Sequence, residues 1–319
     1  MIPTGEVLLT GGSGTLGRAI INRAIKEKWN CRITIYSGDV LKHHKIKQDY
    51  PEVQSIVGDV RDYATLMNAM VGKDYVLHLA AKKHIPESEF NCADTFEVNV
   101  TGSMNVCQAA MQLDTPHVLG ISTDKAAHPA NCYGATKMLM EKIFAEYSRL
   151  GLKTQYHLVR YGNVLESNGS VIETWRKCVA NNQPIKITSP AMTRFWLSPS
   201  QAVQYALDAL ELPSGHIFIP LLPALSIGKL AEYTLWENEE EWKKHPAVII
   251  PLRPGEKVHE SLLTFEEIWY CERCYGKLGE ARDLRPTTTK QNDAPYLPLI
   301  SDTAPELTKQ ELLDLLANG

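Results

Sequence analysis

The apolar positions of this chain fall into short runs separated by longer stretches with helical period. Glu6–Thr10, Arg32–Tyr36, Val53–Val57, Tyr75–Leu79 and His117–Ile121 are brief and apolar, as fully buried parallel strands are. Leu16–Lys28, Tyr63–Met70 and Thr95–Met111 lie between them and read as helices. Tyr133–Leu150 is a long helical pattern whose one interior glycine is Gly134, and Thr154–Val159 follows as a further strand. This β-α-β-α order predicts an α/β fold, a doubly wound parallel sheet of Rossmann type. After Gly162 the regularity fades, and prolines at 184, 190, 199, 213, 220 and 223 mark a smaller α/β C-terminal lobe. The expected division is a nucleotide-binding domain over 1–165, with some later segments returning to it, and a substrate lobe and tail over 166–319. The tail after Arg285 reads as loop and ends in a short amphipathic helix near Gln310–Leu316.

Composition narrows the partners. At 319 residues the chain is long enough for a large core. Its net charge of −4 offers no basic field for nucleic acid or anionic lipid, so an anionic ligand must be held by local donors. No stretch approaches 18 uninterrupted apolar residues, so no membrane span is expected. The start Met1-Ile2-Pro3-Thr4-Gly5 runs straight into a strand without a signal pattern, which places the protein in the cytoplasm. Seven cysteines, an odd number, argue for free thiols. Cys271-Glu272-Arg273-Cys274 has redox or zinc spacing but lacks a second pair, and no metal is expected.

Gly11-Gly12-Ser13-Gly14-Thr15-Leu16-Gly17 follows the first strand and opens the first helix. Its Gly-x-x-Gly-x-x-Gly spacing lets backbone N–H groups approach a pyrophosphate at the helix N-terminus. The second strand ends Tyr36-Ser37-Gly38-Asp39. A serine at the tip, followed by Lys42 and Lys45, favours NADP, whereas Asp39 keeps NAD open. Asp59-Val60 ends the third strand, where a carboxylate can accept from an adenine amino group. Leu79 and Ala80 end the fourth, where small residues let a cofactor backbone pass.

Tyr133 and Lys137, four apart, put a phenol and an ammonium on one helix face. A nearby ammonium favours the phenolate, which can take a proton from a sugar hydroxyl while hydride leaves the same carbon. Thr123-Asp124-Lys125 sits at the C-terminal end of a parallel strand, where open α/β sheets bind ligands. An Asp there can donate a proton to a departing hydroxyl, and a Lys can remove the acidic proton beside a transient ketone. A free lysine titrates at ~10.4, so a basic Lys125 at neutral pH needs a downward shift of about three units, roughly 4 kcal/mol. Partial burial and a neighbouring cation are the expected source of that shift.

The glycine loop with Tyr133 and Lys137 resembles the extended short-chain dehydrogenase/reductase family. Ser122–Lys137 together resembles the signature of the UDP-N-acetylglucosamine 4,6-dehydratases. The likeness continues in Gly58–Asp62, Ala80–Pro86, Arg160–Val164, Met192–Trp196 and Arg253–Lys257, from about residue 5 to residue 260. Within that group the chain is similar to the short dehydratases that invert C5 and begin pseudaminic acid synthesis. The resemblance implies oxidation at C4, loss of water across C5–C6 and return of hydride to C6. It makes Lys125 the base and Asp124 the acid, lets Thr123 bond the C4 oxygen, and assigns Tyr133 and Lys137 to oxidation and NADP. It sets Lys83 against both cofactor and substrate and Asn99 against the cofactor. Asn163, Arg194, Arg253 and Glu256 would hold UDP and its ribose. It also implies a homo-oligomer, formed through the helices at Thr95–Met111 and Tyr133–Leu150. Gly38 stands where the family often carries an arginine for the 2′-phosphate. The alternatives are a UDP-sugar 4-epimerase or reductase, which needs no Asp-Lys elimination pair, and a non-catalytic dinucleotide-sensing module.

Overall fold

The structure is a computed structural model that describes residues 1–151, 153–167, 169–235, 247–267, 284–286 and 299–317. Cys271 and Cys274 lie outside the described residues, as do residues 287–298 and 318–319 of the tail.

The first half alternates strands and helices: β1 (Gly5–Thr10), α1 (Thr15–Lys26), β2 (Cys31–Ser37), α2 (Val40–Asp49), β3 (Gln54–Val57), α3 (Tyr63–Met70) and β4 (Tyr75–His78). Next come α4 (Ile85–Phe90), α5 (Cys92–Phe96), a π-helical turn at Glu97–Thr101, α6 (Gly102–Gln112), β5 (His117–Thr123), a 3-10 turn at Asp124–Ala126, α7 (Cys132–Arg149) and β6 (Gln155–Tyr161). The apolar runs become strands because both faces of the sheet are covered, and Val7–Leu9, Ile33–Tyr36 and Val118–Leu119 are almost wholly buried. α2 was not among the expected helices, since its polar sequence hides the signal. It starts where the Asp39 side chain accepts from Lys42 N at 3.1 Å and caps the helix. The single helix expected over Thr95–Met111 is broken by the π turn, which turns Asn99 inward and buries it.

The second half contributes β7 (Asn163–Val164), α8 (Val171–Ala180), β8 (Lys186–Ile187), β9 (Thr193–Leu197), α9 (Pro199–Ala209), β10 (Ile217–Ile219), β11 (Ala224–Ser226), α10 (Ile227–Leu235), β12 (Val248–Ile249), β13 (Ser261–Leu263), β14 (Leu284–Pro286), β15 (Leu299–Ile300) and the helix Lys309–Ala317. Eight strands form one parallel sheet in the order β14-β10-β6-β5-β4-β1-β2-β3, so two late strands extend the edge built by the first half. The chain reverses direction of winding between β1 and β4, which is the doubly wound topology anticipated from the sequence. Small sheets β11-β9-β7, β12-β8 and β13-β15 lie beyond it. A second apolar cluster, including Trp175, Trp196, Leu230 and Leu312, forms apart from the main core. The closing helix coincides with the expected one, and its Leu312 is fully buried.

Candidate active site

The glycine loop joins β1 to α1 at the centre of the sheet. Gly11 has φ +65°, and a Cβ there would stand 2.7 Å from the backbone of Ala80. A Cβ on Gly17 would stand 2.1 Å from Gly12 O. The loop is thus a cradle only glycine can line. α1 begins on Gly14 with no side-chain cap and no acidic residue in its first turn. Its opening presents amide hydrogens and positive helix dipole, the chemistry a pyrophosphate requires. Thr15 and Leu16 form that first turn. Ser13 Oγ lies 2.9 Å from Ser37 Oγ at the β2 tip, and Ser37 Oγ lies 2.7 Å from Nε2 of the buried His43. Gly38 follows with nothing closer to its Cβ position than Gly58 O at 3.8 Å. Lys42 Nζ pairs with Asp39 at 3.0 Å, so the expected phosphate cation is matched by its own helix cap.

Asp59 accepts from Arg61 N at 2.9 Å and from the Arg61 guanidinium, whose hydrogen bonds hold its carboxyl below the usual range. Val60 is buried against Gly102, and Val60 O accepts from Asn105 Nδ2 at 2.9 Å. Leu79 N donates to Thr10 O at 3.0 Å, which keeps Leu79 and Ala80 beside the glycine loop. His78 spans Thr10 Oγ1 at 2.7 Å and Ser103 Oγ at 3.0 Å, as a packed strand residue. Asn99 spends its amide on Lys82 N at 2.8 Å, Lys82 O at 2.9 Å and Thr136 Oγ1 at 3.0 Å. It therefore clamps the β4–α4 loop to α7. Lys83, the next residue in that loop, is exposed.

The reacting centre is assembled from five segments. Gly134 lets α7 approach the 3-10 turn, since a Cβ there would lie 2.3 Å from Lys125 O. Asn131 caps α7 through Gly134 N at 2.7 Å and donates to Gly255 O at 2.8 Å, tying the Arg253–Lys257 loop to the same corner. Asp124 is fully buried. Its Oδ1 accepts from Thr123 Oγ1 at 2.8 Å and Lys125 Nζ at 3.0 Å, and its Oδ2 accepts nothing. Burial raises the Asp124 pKa, Glu260 adds to that, and Lys125 and Thr123 oppose it. Lys125 Nζ also donates to Asn163 Oδ1 at 3.1 Å and lies 3.6 Å from Glu260 Oε1.

Two expectations about charge are corrected. Burial depresses the Lys125 pKa, yet Asp124 and Glu260 outweigh burial and the repulsion of Arg194, and the net shift is upward. The lysine is an ammonium between two carboxylates, whereas the sequence suggested a pre-discharged amine. The Tyr133 phenol is pushed up to about 12 by burial, with Lys125 and the Thr123 hydroxyl pulling it back. The ammonium acting on that phenol is Lys125. Lys137, expected in that role, is buried with Nζ 2.9 Å from Met140 Sδ, and burial draws it down to about 8 against the pull of Glu141.

The expected substrate residues divide. Arg194 is buried and donates to Thr193 O at 2.7 Å, Val258 O at 3.1 Å and Lys257 O at 2.9 Å, with Nε 3.9 Å from Glu260. Its guanidinium is spent on the loop beneath the site, although a diphosphate partner was expected. Arg253 is exposed and pairs with Glu256, whose Oε2 accepts from Arg253 N at 3.1 Å. Glu260 was missed. It ends the stretch Arg253-Pro254-Gly255-Glu256-Lys257-Val258-His259-Glu260, in which Glu256 drew the attention. A second missed group is Arg160, 1% exposed and bidentate to both Glu141 and Glu267, with Glu141 also accepting from Ser122. An arginine inside an apolar strand was its signal.

Fold and site together define a doubly wound α/β protein with a glycine-lined cradle and an acid–base cluster at the C-terminal ends of the same strands. The chain belongs to the family described as polysaccharide biosynthesis protein, whose model matches residues 7–275. It is 34% identical to an inverting UDP-N-acetylglucosamine 4,6-dehydratase of Campylobacter jejuni (strain 81-176), over 82% of this chain and 78% of that protein. It is 35% identical to a UDP-glucose 4-epimerase of Rickettsia bellii (strain RML369-C), over 98% and 95%. Among solved structures, Pen from Bacillus thuringiensis superposes with a TM-score of 0.86 at 28% identity, covering 100% of this chain and 98% of that one. The resemblance read from the Ser122–Lys137 signature is borne out. Among the described residues, no helix is long and apolar enough to cross a membrane.

Proposed function

We propose that the chain is a 4,6-dehydratase of UDP-N-acetylglucosamine or a close UDP-sugar, inverting at C5. The observation that carries this reading is the Asp124–Lys125 pair at the end of β5, the carboxylate fully buried and the lysine largely so, with Tyr133 beside it. Simple oxidation or epimerisation has no use for a second acid and base. Bound in the glycine cradle, a nicotinamide dinucleotide supplies the hydride acceptor for C4. Gly11, Ser13, Gly14, Thr15, Leu16, Gly17, Leu79 and Ala80 would hold its pyrophosphate side. We assign NADP in preference to NAD: β2 ends in Ser37, and the Asp39 carboxylate is committed to capping α2 and to Lys42.

Tyr133 orients the C4 hydroxyl and takes its proton as the phenolate, the form the Lys125 ammonium favours, with Thr123 on the same oxygen. The C4 carbonyl acidifies the C5 proton, which Lys125 removes. Asp124 protonates the C6 hydroxyl, water leaves, and the hydride taken from C4 would return to C6 as a proton is restored to C5. The pair Asp124-COOH and Lys125-NH2 has the same proton count as the resting ion pair, so a single proton moving across 3.0 Å arms both groups. Lys83, Asn163, Arg253 and Glu256 would surround the UDP-sugar. A second copy is expected against α6 and α7, where Met104 and Leu139 are 42% and 39% exposed. We also propose the division at about residue 165 between cofactor and substrate parts.

Incubation with UDP-N-acetylglucosamine and mass spectrometry tests the reading. Loss of one water supports it. The Rickettsia relative favours a second reading, a 4-epimerase, which leaves the mass unchanged and inverts C4.

A further inference from the structure

Glu260 is 2% exposed, lies on no predicted catalytic position, and approaches the Asp124–Lys125 pair from a distant part of the chain. We propose that Glu260 is a positioning residue that retains the shared proton of the Asp124–Lys125 pair and thereby sets the pH window of the chemistry. This rests on the dehydratase reading for its consequence, although not for its titration.

Glu260 Oε1 stands 3.6 Å from Lys125 Nζ and 3.9 Å from Arg194 Nε. Its Oε2 faces Lys257 Nζ at 3.2 Å without an aligned hydrogen bond, and Lys257 in turn donates to Ala127 O at 2.9 Å. The backbone is pinned as well: Glu260 N donates to Ser301 Oγ at 2.9 Å and Glu260 O accepts from Ser301 N at 2.8 Å. Arg194 holds the same loop through two main-chain carbonyls, those of Lys257 and Val258. A carboxylate this buried would normally be neutral. Burial does push it up, but Lys125, Lys257 and Arg194 outweigh burial and keep it ionised. Two carboxylates and three cations therefore share one largely buried cluster, with the Tyr133 phenol alongside and Asn163 as a neutral acceptor on Lys125.

The consequence follows from counting protons. The pair works with one shared proton. With none, Asp124 has nothing to donate; with two, Lys125 has no lone pair. A fixed negative charge near both members makes each hold its proton harder: Glu260 adds to burial in raising Asp124 and adds to Asp124 in raising Lys125. The whole one-proton window is thus displaced toward higher pH. Lys257 and Arg194 limit that displacement while securing the Glu260 charge.

Glu260→Gln keeps the size and removes the charge. Both limbs of the pH profile for C5-proton exchange are expected to move down by about one to three units, the usual effect of one close charge. Glu260→Asp restores the charge and should return both limbs toward wild type. Lys257→Gln, which strips a cation from Glu260, should move them up. The titration of Lys125 read from [ε-13C]lysine NMR, assigned with Lys125→Arg, should shift in the same three directions whatever the enzyme turns over. Unmoved limbs and an unmoved Lys125 midpoint in Glu260→Gln, with only lower activity, overturn the proposal. Should that variant not fold, the upward shift in Lys257→Gln decides alone, and its absence overturns the proposal. A wild type that releases no water removes the dehydratase reading, and the lysine titration then tests the role of Glu260 independently.

Discussion

Strands β5 and β6 bury ionisable groups in opposite ways at their two ends. At the C-terminal ends, Lys125, Glu260, Arg160 and Glu267 keep their charges because each faces an opposite one, Lys125 lying between Asp124 and Glu260 and Arg160 between Glu141 and Glu267. At the N-terminal ends, Tyr75 stacks on His117 at 4.7 Å, and His117 stacks on His157 at 5.6 Å. Burial, aided by His117 and His216, drives the His157 pKa down to about 4, so the ring is neutral. The lesson is that depth alone does not decide ionisation. A buried group stays charged only where the fold supplies a counter-charge, and such supply is concentrated at the end where the chemistry is proposed.

The difference is open to experiment, starting from its largest consequence. Lys125→Met should lower C5-proton exchange by about a hundred- to ten-thousand-fold while cofactor binding, followed by fluorescence titration, stays intact. Exchange that persists would take the base role from Lys125. Arg160→Met should leave Glu141 and Glu267 buried without their partner. It is expected to destabilise the fold by about 3–5 kcal/mol in urea unfolding. A loss under about 1 kcal/mol would mean that the charges at this end are not coupled as the distances imply.

The histidine end predicts a slope. His157 binds its proton more weakly folded than unfolded, so its contribution is fully present above pH 6.5. Stability should fall as pH drops from 6.5 to about 4, by about 3 kcal/mol from this group. His157→Phe should flatten that slope in urea midpoints taken across the window. The smallest effect belongs to Gly134→Ala. The added carbon would stand 2.3 Å from Lys125 O, and α7 must shift, at a cost of about 1–3 kcal/mol. Its signature is a fall in exchange activity larger than the fall in thermal stability explains.

Much of the architecture was written in short-range pattern. The apolar runs that became β1, β2, β4, β5 and β6, and the glycine cradle after β1, are each announced by a pattern a few residues long. The cradle also needs backbone room, which glycine supplies wherever it is placed. The segment α2 was less visible, because its polar residues carry no amphipathic stripe and only the Asp39 cap announces it. Chemistry-bearing side chains were legible as types: Thr123, Asp124, Lys125 and Tyr133 do meet at one strand end. Their charges were not. The upward shift of Lys125 draws on Glu260, from a segment far along the chain, and the commitment of Arg194 to a loop at 257–258 comes from where β9 lies.

By itself, the amino-acid sequence determined the doubly wound sheet, the phosphate cradle and the residue types that gather above β5, because hydrophobic period and glycine geometry act locally. Only the tertiary structure decided which of those groups are charged and which arginines are free. Electrostatic energy depends on distance and burial, and folding brings together Asp124, Lys125 and Glu260 from segments far apart in the chain.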